Sequence, residues 1–144
     1  MSFRQFHYYH QIEQSDCGVT CLRMVARHFG RKIPVKFLRS RADLSRGGIS
    51  VRGLKECAES IGMKGYGVKL GSGLLGDAPL PAILHWNQNH FAVLWKVSKG
   101  RYFVADPAAG MMAYSREEFD AHFCGDGERG IALILAPTEE FHSV

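Results

Sequence analysis

Gln11-Ile12-Glu13-Gln14-Ser15-Asp16-Cys17-Gly18 carries an extended approach into the first apolar-periodic helix and sets a cysteine at the joint. A helix N-terminus leaves unpaired N–H groups and the positive end of the peptide dipole, which favour thiolate over thiol. A thiolate so placed is a nucleophile when a base lies beside it. Gln11, six residues upstream, carries a carboxamide that can point at the oxygen on which charge develops in acyl transfer. Gly18 leaves room beside the thiol for a substrate backbone. The stretch asks for a histidine and an orienting carboxylate elsewhere in the chain.

Both are offered by one hairpin. His90-Phe91-Ala92-Val93-Leu94-Trp95-Lys96-Val97 and Arg101-Tyr102-Phe103-Val104-Ala105-Asp106 are rich in strand formers and flank Ser98-Lys99-Gly100. A three-residue, Gly-ended loop pairs Val97 with Arg101 and sets Ala92 opposite Asp106. His90 then shares a face with Ala92, so His90 and Asp106 are diagonal neighbours, about 7–8 Å apart at the backbone. A two-residue loop would place them on opposite faces, because a slip of one residue turns every side chain over.

The chain has 144 residues, 46% of them apolar and 22% charged, which suits one globular domain with a sizeable core. No stretch approaches the ~20 apolar residues of a membrane span. The N-terminus lacks a signal-peptide pattern, so a reducing cytosol is expected and the four cysteines read as free thiols. Cys21 and Cys57 fall on apolar helix faces as core residues. The net charge of +4 gathers in the first third, from Arg23 to Arg46, as a solvated helix face. Aromatic residues do not interleave with it as nucleic-acid binding requires, so no nucleic-acid partner is expected.

Periodicity and punctuation predict an α+β domain of two layers, helices first and antiparallel strands afterwards. The first helix runs from Cys17 to Phe29, stopped by Gly30, with Thr20, Arg23 and Arg27 as its wet stripe. Pro34 opens a second helix reaching Leu44, and Ser50 caps a third that Gly62 ends. Strands follow at Met63–Leu70 and Ala82–Trp86, separated by a Gly/Pro-rich loop from Gly71 to Pro81. After the hairpin, Ser115-Arg116-Glu117-Glu118 starts a short helix to Phe123 with a capping-box pattern. Gly130–Ala136 is the last strand, and residues 138–144 read as a polar linker stub.

Taken singly, each feature has an ordinary explanation: a structural cysteine, a strand-end histidine, an Asp-Pro turn, a surface glutamine. Together they fill the four roles of a thiol acyl-transfer site. Cys17, Cys21 and His28 lack the paired spacing of structural zinc ligands, so no metal is expected. Gly71-Ser72-Gly73 lacks the Lys-Ser/Thr pair and following helix of a phosphate loop.

Gln11 to Phe29, the His90 strand and the Ala105-Asp106-Pro107 turn resemble the double-glycine leader peptidases. These are papain-like cysteine peptidase domains at the N-terminus of bacterial ABC exporters for bacteriocins and related peptides. The similarity spans about Phe6 to Pro137. Leu44-Ser45-Arg46-Gly47-Gly48 and Ile83-Leu84-His85-Trp86 resemble the colicin V-type exporters of Gram-negative bacteria in particular.

The resemblance implies a peptidase domain over residues 1–137, with 138–144 leading towards a transmembrane region outside this chain. It implies Cys17 as nucleophile, His90 as general base and then acid, Asp106 as the group orienting the imidazole, and Gln11 in the oxyanion hole. The substrate would be a precursor peptide cleaved after a Gly-Gly pair, its leader docked as an amphipathic helix in an apolar groove. Leu74, Leu75, Met111 and Met112 are apolar candidates for such a groove, though core packing explains them equally. The partners would be the transmembrane and nucleotide-binding domains of an exporter on the cytoplasmic side of the bacterial inner membrane. The peptidase itself would need no cofactor, ATP serving the transporter domains. Two other functions fit the same residues: a leader-docking module without efficient cleavage, and another papain-like thiol amidase.

Overall fold

The computed structural model describes residues 6–42 and 48–143. Helices α1 (Cys17–His28), α2 (Val35–Ser40) and α3 (Val51–Ser60) precede strands β1 (Met63–Leu70), β2 (Ala82–Trp86), β3 (His90–Ser98), β4 (Arg101–Asp106) and β5 (Gly110–Ser115). Helix α4 (Arg116–Phe123), strand β6 (Gly130–Pro137) and helix α5 (Glu139–His142) follow. The strands form one antiparallel sheet in the order β1-β6-β2-β3-β4-β5, so the last strand lies in its interior.

The helix boundaries follow local chemistry. Ser50 Oγ accepts the Gly53 N–H at 3.0 Å. Ser115 and Glu118 exchange reciprocal bonds of 3.2 and 2.8 Å, closing the capping box. Gly30 and Gly62, at φ 105° and 92°, end α1 and α3 in the left-handed region. Pro34 stands just ahead of α2 rather than inside it, and the helix ends at Ser40 with Arg41 as its cap, short of the expected Leu44, which itself lies among 43–47, outside the described residues.

Alternation along the strands loads both faces of the sheet. Phe91, Val93, Ile83, Leu133 and Leu135 face the core shared with α1, α2 and α3. Ala92, Leu94, Leu84, Trp86 and Ala132 face a second core closed by Phe119 and Phe123 of α4 and by Leu75 of a 3₁₀ segment, Ser72–Asp77. The sheet is therefore sandwiched, and the expected two layers are three. Helix α1 has no wet stripe through Thr20, which is buried. The N-terminal segment covers that side instead, with Phe6 stacked on Trp95 and the Arg23 guanidinium 3.8 Å over the Tyr9 ring.

Three further expectations change. Strand β5 was not foreseen, since this edge strand packs partly on both faces and carries no two-residue period. Leu75 is a core residue and Met111 packs against the main core, while Leu74 and Met112 stay exposed. The tail after Pro137 turns back rather than trailing away: Thr138 donates its N–H and hydroxyl to Gly62 O, and Phe141 is fully buried beneath the Arg31 guanidinium. A Cβ on Gly62 would overlap the Phe141 backbone, so this corner requires glycine. Phe141→Ala is expected to cost about 3–5 kcal/mol of stability, read as a lower denaturant midpoint at unchanged m-value. A loss under about 1 kcal/mol would mean that the tail contributes little.

Candidate active site

His90 opens β3 and Asp106 closes β4, which brings both to the end of the sheet where α1 begins. The turn between these strands differs from expectation. Ser98 pairs with Arg101, leaving two turn residues, Lys99 and Gly100, at φ 53° and 76° as a type I′ hairpin requires. Taken alone, that turn would separate His90 from Asp106. The register then shifts between Leu94 and Lys96, where Trp95 is an extra residue on β3. Beyond this bulge Leu94 pairs with Val104 and Val93 with Ala105, so the count again sets Ala92 opposite Asp106.

The side chains meet: His90 Nε2 lies 2.7 Å from Asp106 Oδ1. The same oxygen accepts the N–H groups of Ala108 at 2.9 Å and Ala109 at 3.3 Å, so the Asp-Pro turn fixes the carboxylate as well as reversing the chain. Nε2 is committed to Asp106, and Cys17 lines the same cleft as the ring. Burial alone would lower the His90 pKa, but hydrogen bonds to Asp106 and Cys17, reinforced by their charges, raise it to about 9. Burial would raise the Asp106 pKa, yet the bonds from His90, Ala108 and Ala109 hold it below the usual carboxylate range. The site thus brings a carboxylate, the imidazole it pairs with and a thiol to one cleft, a set suited to acyl transfer.

The other cysteines are poor nucleophiles. Burial holds the Cys21 thiol well above its ordinary pKa and Cys57 at about 11, and burial beside Asp120 raises Cys124. Gly18 serves the fold rather than a substrate: a Cβ there would lie 2.5 Å from Ile49 Cγ2 and 3.4 Å from Phe91. It lets the first turn of α1 sit close against β3.

Gln11, Gln14, Cys17, Asn89, His90, Asp106 and Ala108 line one open cleft of about 310 Å³. The Gln11 carboxamide is turned to its own loop, donating to the carbonyls of Glu13 at 3.1 Å and Gln14 at 3.4 Å. Its Oε1 is buried without a hydrogen-bond partner among the described residues. Two supports escaped sequence reasoning. Tyr8 Oη donates to the Asp106 carbonyl at 2.7 Å, and the Gln11 N–H donates to Pro107 O at 2.8 Å. Both join segments almost 100 residues apart (|i−j| = 98 for Tyr8 and Asp106), a separation at which spacing carries no signal. Of the unassigned histidines, His122 stacks on Trp86 and bonds Asn87 Oδ1 at 2.8 Å, and His85 packs beside Phe91.

Known proteins share this arrangement of helices and sheet. The chain is 39% identical over 134 residues to the colicin V secretion/processing ATP-binding protein CvaB of Escherichia coli, covering 93% of this chain and 18% of that protein. It is 31% identical over 138 residues to the lactococcin-G-processing and transport ATP-binding protein LagD of Lactococcus lactis subsp. lactis, covering 92% and 19%. The chain therefore spans about a fifth of the length of these relatives. The crystal structure of a double glycine motif protease from an AMS/PCAT transporter, in complex with the leader peptide, superposes with a TM-score of 0.84 at 30% identity, covering 92% of both chains. The peptidase domain of Streptococcus ComA, a bifunctional ABC transporter, superposes with a TM-score of 0.79 at 26% identity, covering 92% of this chain and all of that one. Residues 5–140 match the Peptidase C39 family. The fold is the papain-like α+β arrangement expected from the sequence, and the chain belongs to the Peptidase C39 family of cysteine peptidases.

Proposed function

We propose that this domain cleaves a precursor peptide directly after a Gly-Gly pair, releasing a bacteriocin-like cargo from its leader for export. The observation that carries the proposal is the His90–Asp106 pair sharing one open cleft with Cys17. Cys17 attacks the carbonyl of the second glycine as a thiolate, its proton residing on His90. The tetrahedral oxyanion is held by the Cys17 backbone N–H and by one Nε2 hydrogen of Gln11, the other remaining on the carbonyls of the Glu13–Gln14 turn. His90 then protonates the leaving amine, while Asp106 stays ionised and keeps the ring oriented. Water, deprotonated by His90, cleaves the thioester and restores the thiolate. Cleft walls that leave room for backbone alone would select glycine by rejecting side chains.

The processing and transport proteins that this chain resembles support a role as the peptidase portion of an ABC exporter. In that role it faces the cytoplasm at the bacterial inner membrane, with ATP used by the transporter domains. No helix among the described residues is long and apolar enough to cross a membrane.

The deciding experiment incubates the domain with a synthetic leader–cargo peptide carrying Gly-Gly and with a twin whose second glycine is alanine, read by mass spectrometry. Cleavage of the first alone is expected; equal cleavage of both would leave the thiol chemistry and remove the double-glycine assignment. Bound but uncut peptide would point to a docking module. Cys17→Ala should abolish turnover and keep leader binding, and residual cleavage would show a different nucleophile. Gln11→Ala should lower kcat about a hundredfold or more at similar KM.

The His90 pKa sets the pH behaviour. Raised from 6.5 to about 9, it keeps the imidazolium available through neutral pH, so kcat/KM should fall on the alkaline side near pH 9. Asp106→Asn should move that limb towards neutrality, and an unmoved limb would sever His90 from the profile. Because the folded pKa is raised, the same group stabilises the fold fully below pH 6.5 and loses that contribution as pH climbs through about 9.

A further inference from the structure

One buried charge beside the nucleophile has no part in the chemistry above. Asp16, fully buried and immediately ahead of Cys17, is gripped in a fork by Arg39 of α2. Arg39 Nε donates to Asp16 Oδ1 at 2.9 Å and Nη2 donates to Oδ2, while Nη2 also stands 3.4 Å from Glu13 Oε2. Asp16 Oδ2 accepts the Glu13 N–H at 3.3 Å, and the Asp16 N–H returns to Glu13 O at 3.0 Å. The pair therefore clamps the turn from Glu13 to Asp16 from both ends. The Glu13 and Gln14 carbonyls of that same turn hold the Gln11 carboxamide.

We propose that the Asp16–Arg39 pair is a positioning device for Gln11, fixing from α2 the turn on which the oxyanion-stabilising carboxamide rests. Stability alone is a weak reason for such a pair, since apolar residues of similar volume often replace a buried ion pair without loss. A bidentate fork differs from them in fixing distance and angle at once. Acyl transfer needs that precision, because a donor displaced by ~1 Å forfeits much of its effect on the transition state. Neither Asp16 nor Arg39 touches the substrate in this arrangement; both act through Gln11. The inference rests on the reading of Gln11 given above.

The test is a double-mutant cycle on cleavage of the Gly-Gly peptide. Arg39→Lys keeps the charge and removes the fork; it should lower kcat by about tenfold or more with KM nearly unchanged. In the Gln11→Ala background the same change should cost less than about twofold, since the group it positions is gone. Alkylation of Cys17 by iodoacetamide, which forms no oxyanion, should proceed at the wild-type rate in Arg39→Lys. Asp16→Asn, assayed well below its own melting temperature, serves as the second variant and should give the same pattern. Equal losses in both backgrounds, or a parallel fall in alkylation, would overturn the proposal in favour of a purely structural pair. If wild type cleaves and Gln11→Ala is silent, the positioning role falls with the oxyanion assignment. If wild type fails to cleave while alkylation stays fast, the substrate assignment fails, and the pair's role is then judged by the same cycle on an activated thioester.

Discussion

The bond from His90 Nε2 to Asp106 Oδ1 joins the ends of two neighbouring strands, and it depends on β3 carrying one residue more than β4. The type I′ turn supplies the strand twist that a tight hairpin needs, but its register alone would turn the two side chains apart. The bulge at Trp95 restores the phase before the strands reach the site. Everything downstream of that correction is local: the carboxylate receives two backbone N–H groups, the ring is committed through one nitrogen, and the thiol lines the same cleft.

Electrostatics quieten three of the thiols. Burial penalises charge at Cys21, Cys57 and Cys124, and nothing there outweighs it. At the site the same penalty falls on His90 and Asp106, yet each is the other's counter-charge and the turn amides add to Asp106. Half-buried pairing therefore gives what exposure could not, a stable charge on the ring with little water to screen it.

Much of this was legible in the sequence because it is written locally. Ser50, Ser115 with Glu118, Gly30 and Gly62 mark helix ends through bonds to residues three or four positions away. The grouping of Cys17, His90 and Asp106 was legible because each residue type has a distinct role in acyl transfer. The turn length was misread and the bulge unseen, and the two errors cancelled at Ala92 and Asp106. What stayed hidden depends on distant segments. Tyr8 bonded to Asp106, the Arg23 guanidinium over Tyr9 and Phe141 docked beneath Arg31 all join residues that spacing cannot relate. Gly18 was read as room for substrate and proves to be room for Ile49.

Strand β6 separates β1 from β2 in the finished sheet although it is made after both. During vectorial synthesis β1 leaves the ribosome with no neighbour, and the β2–β5 meander emerges with one edge bare. The two pieces acquire a common layer when residues 130–137 slot between them, a closure of long loops that is intrinsically slow. A nascent chain therefore carries Cys17, His90 and Asp106, and the hairpin that pairs the last two, before the sheet behind them is one layer.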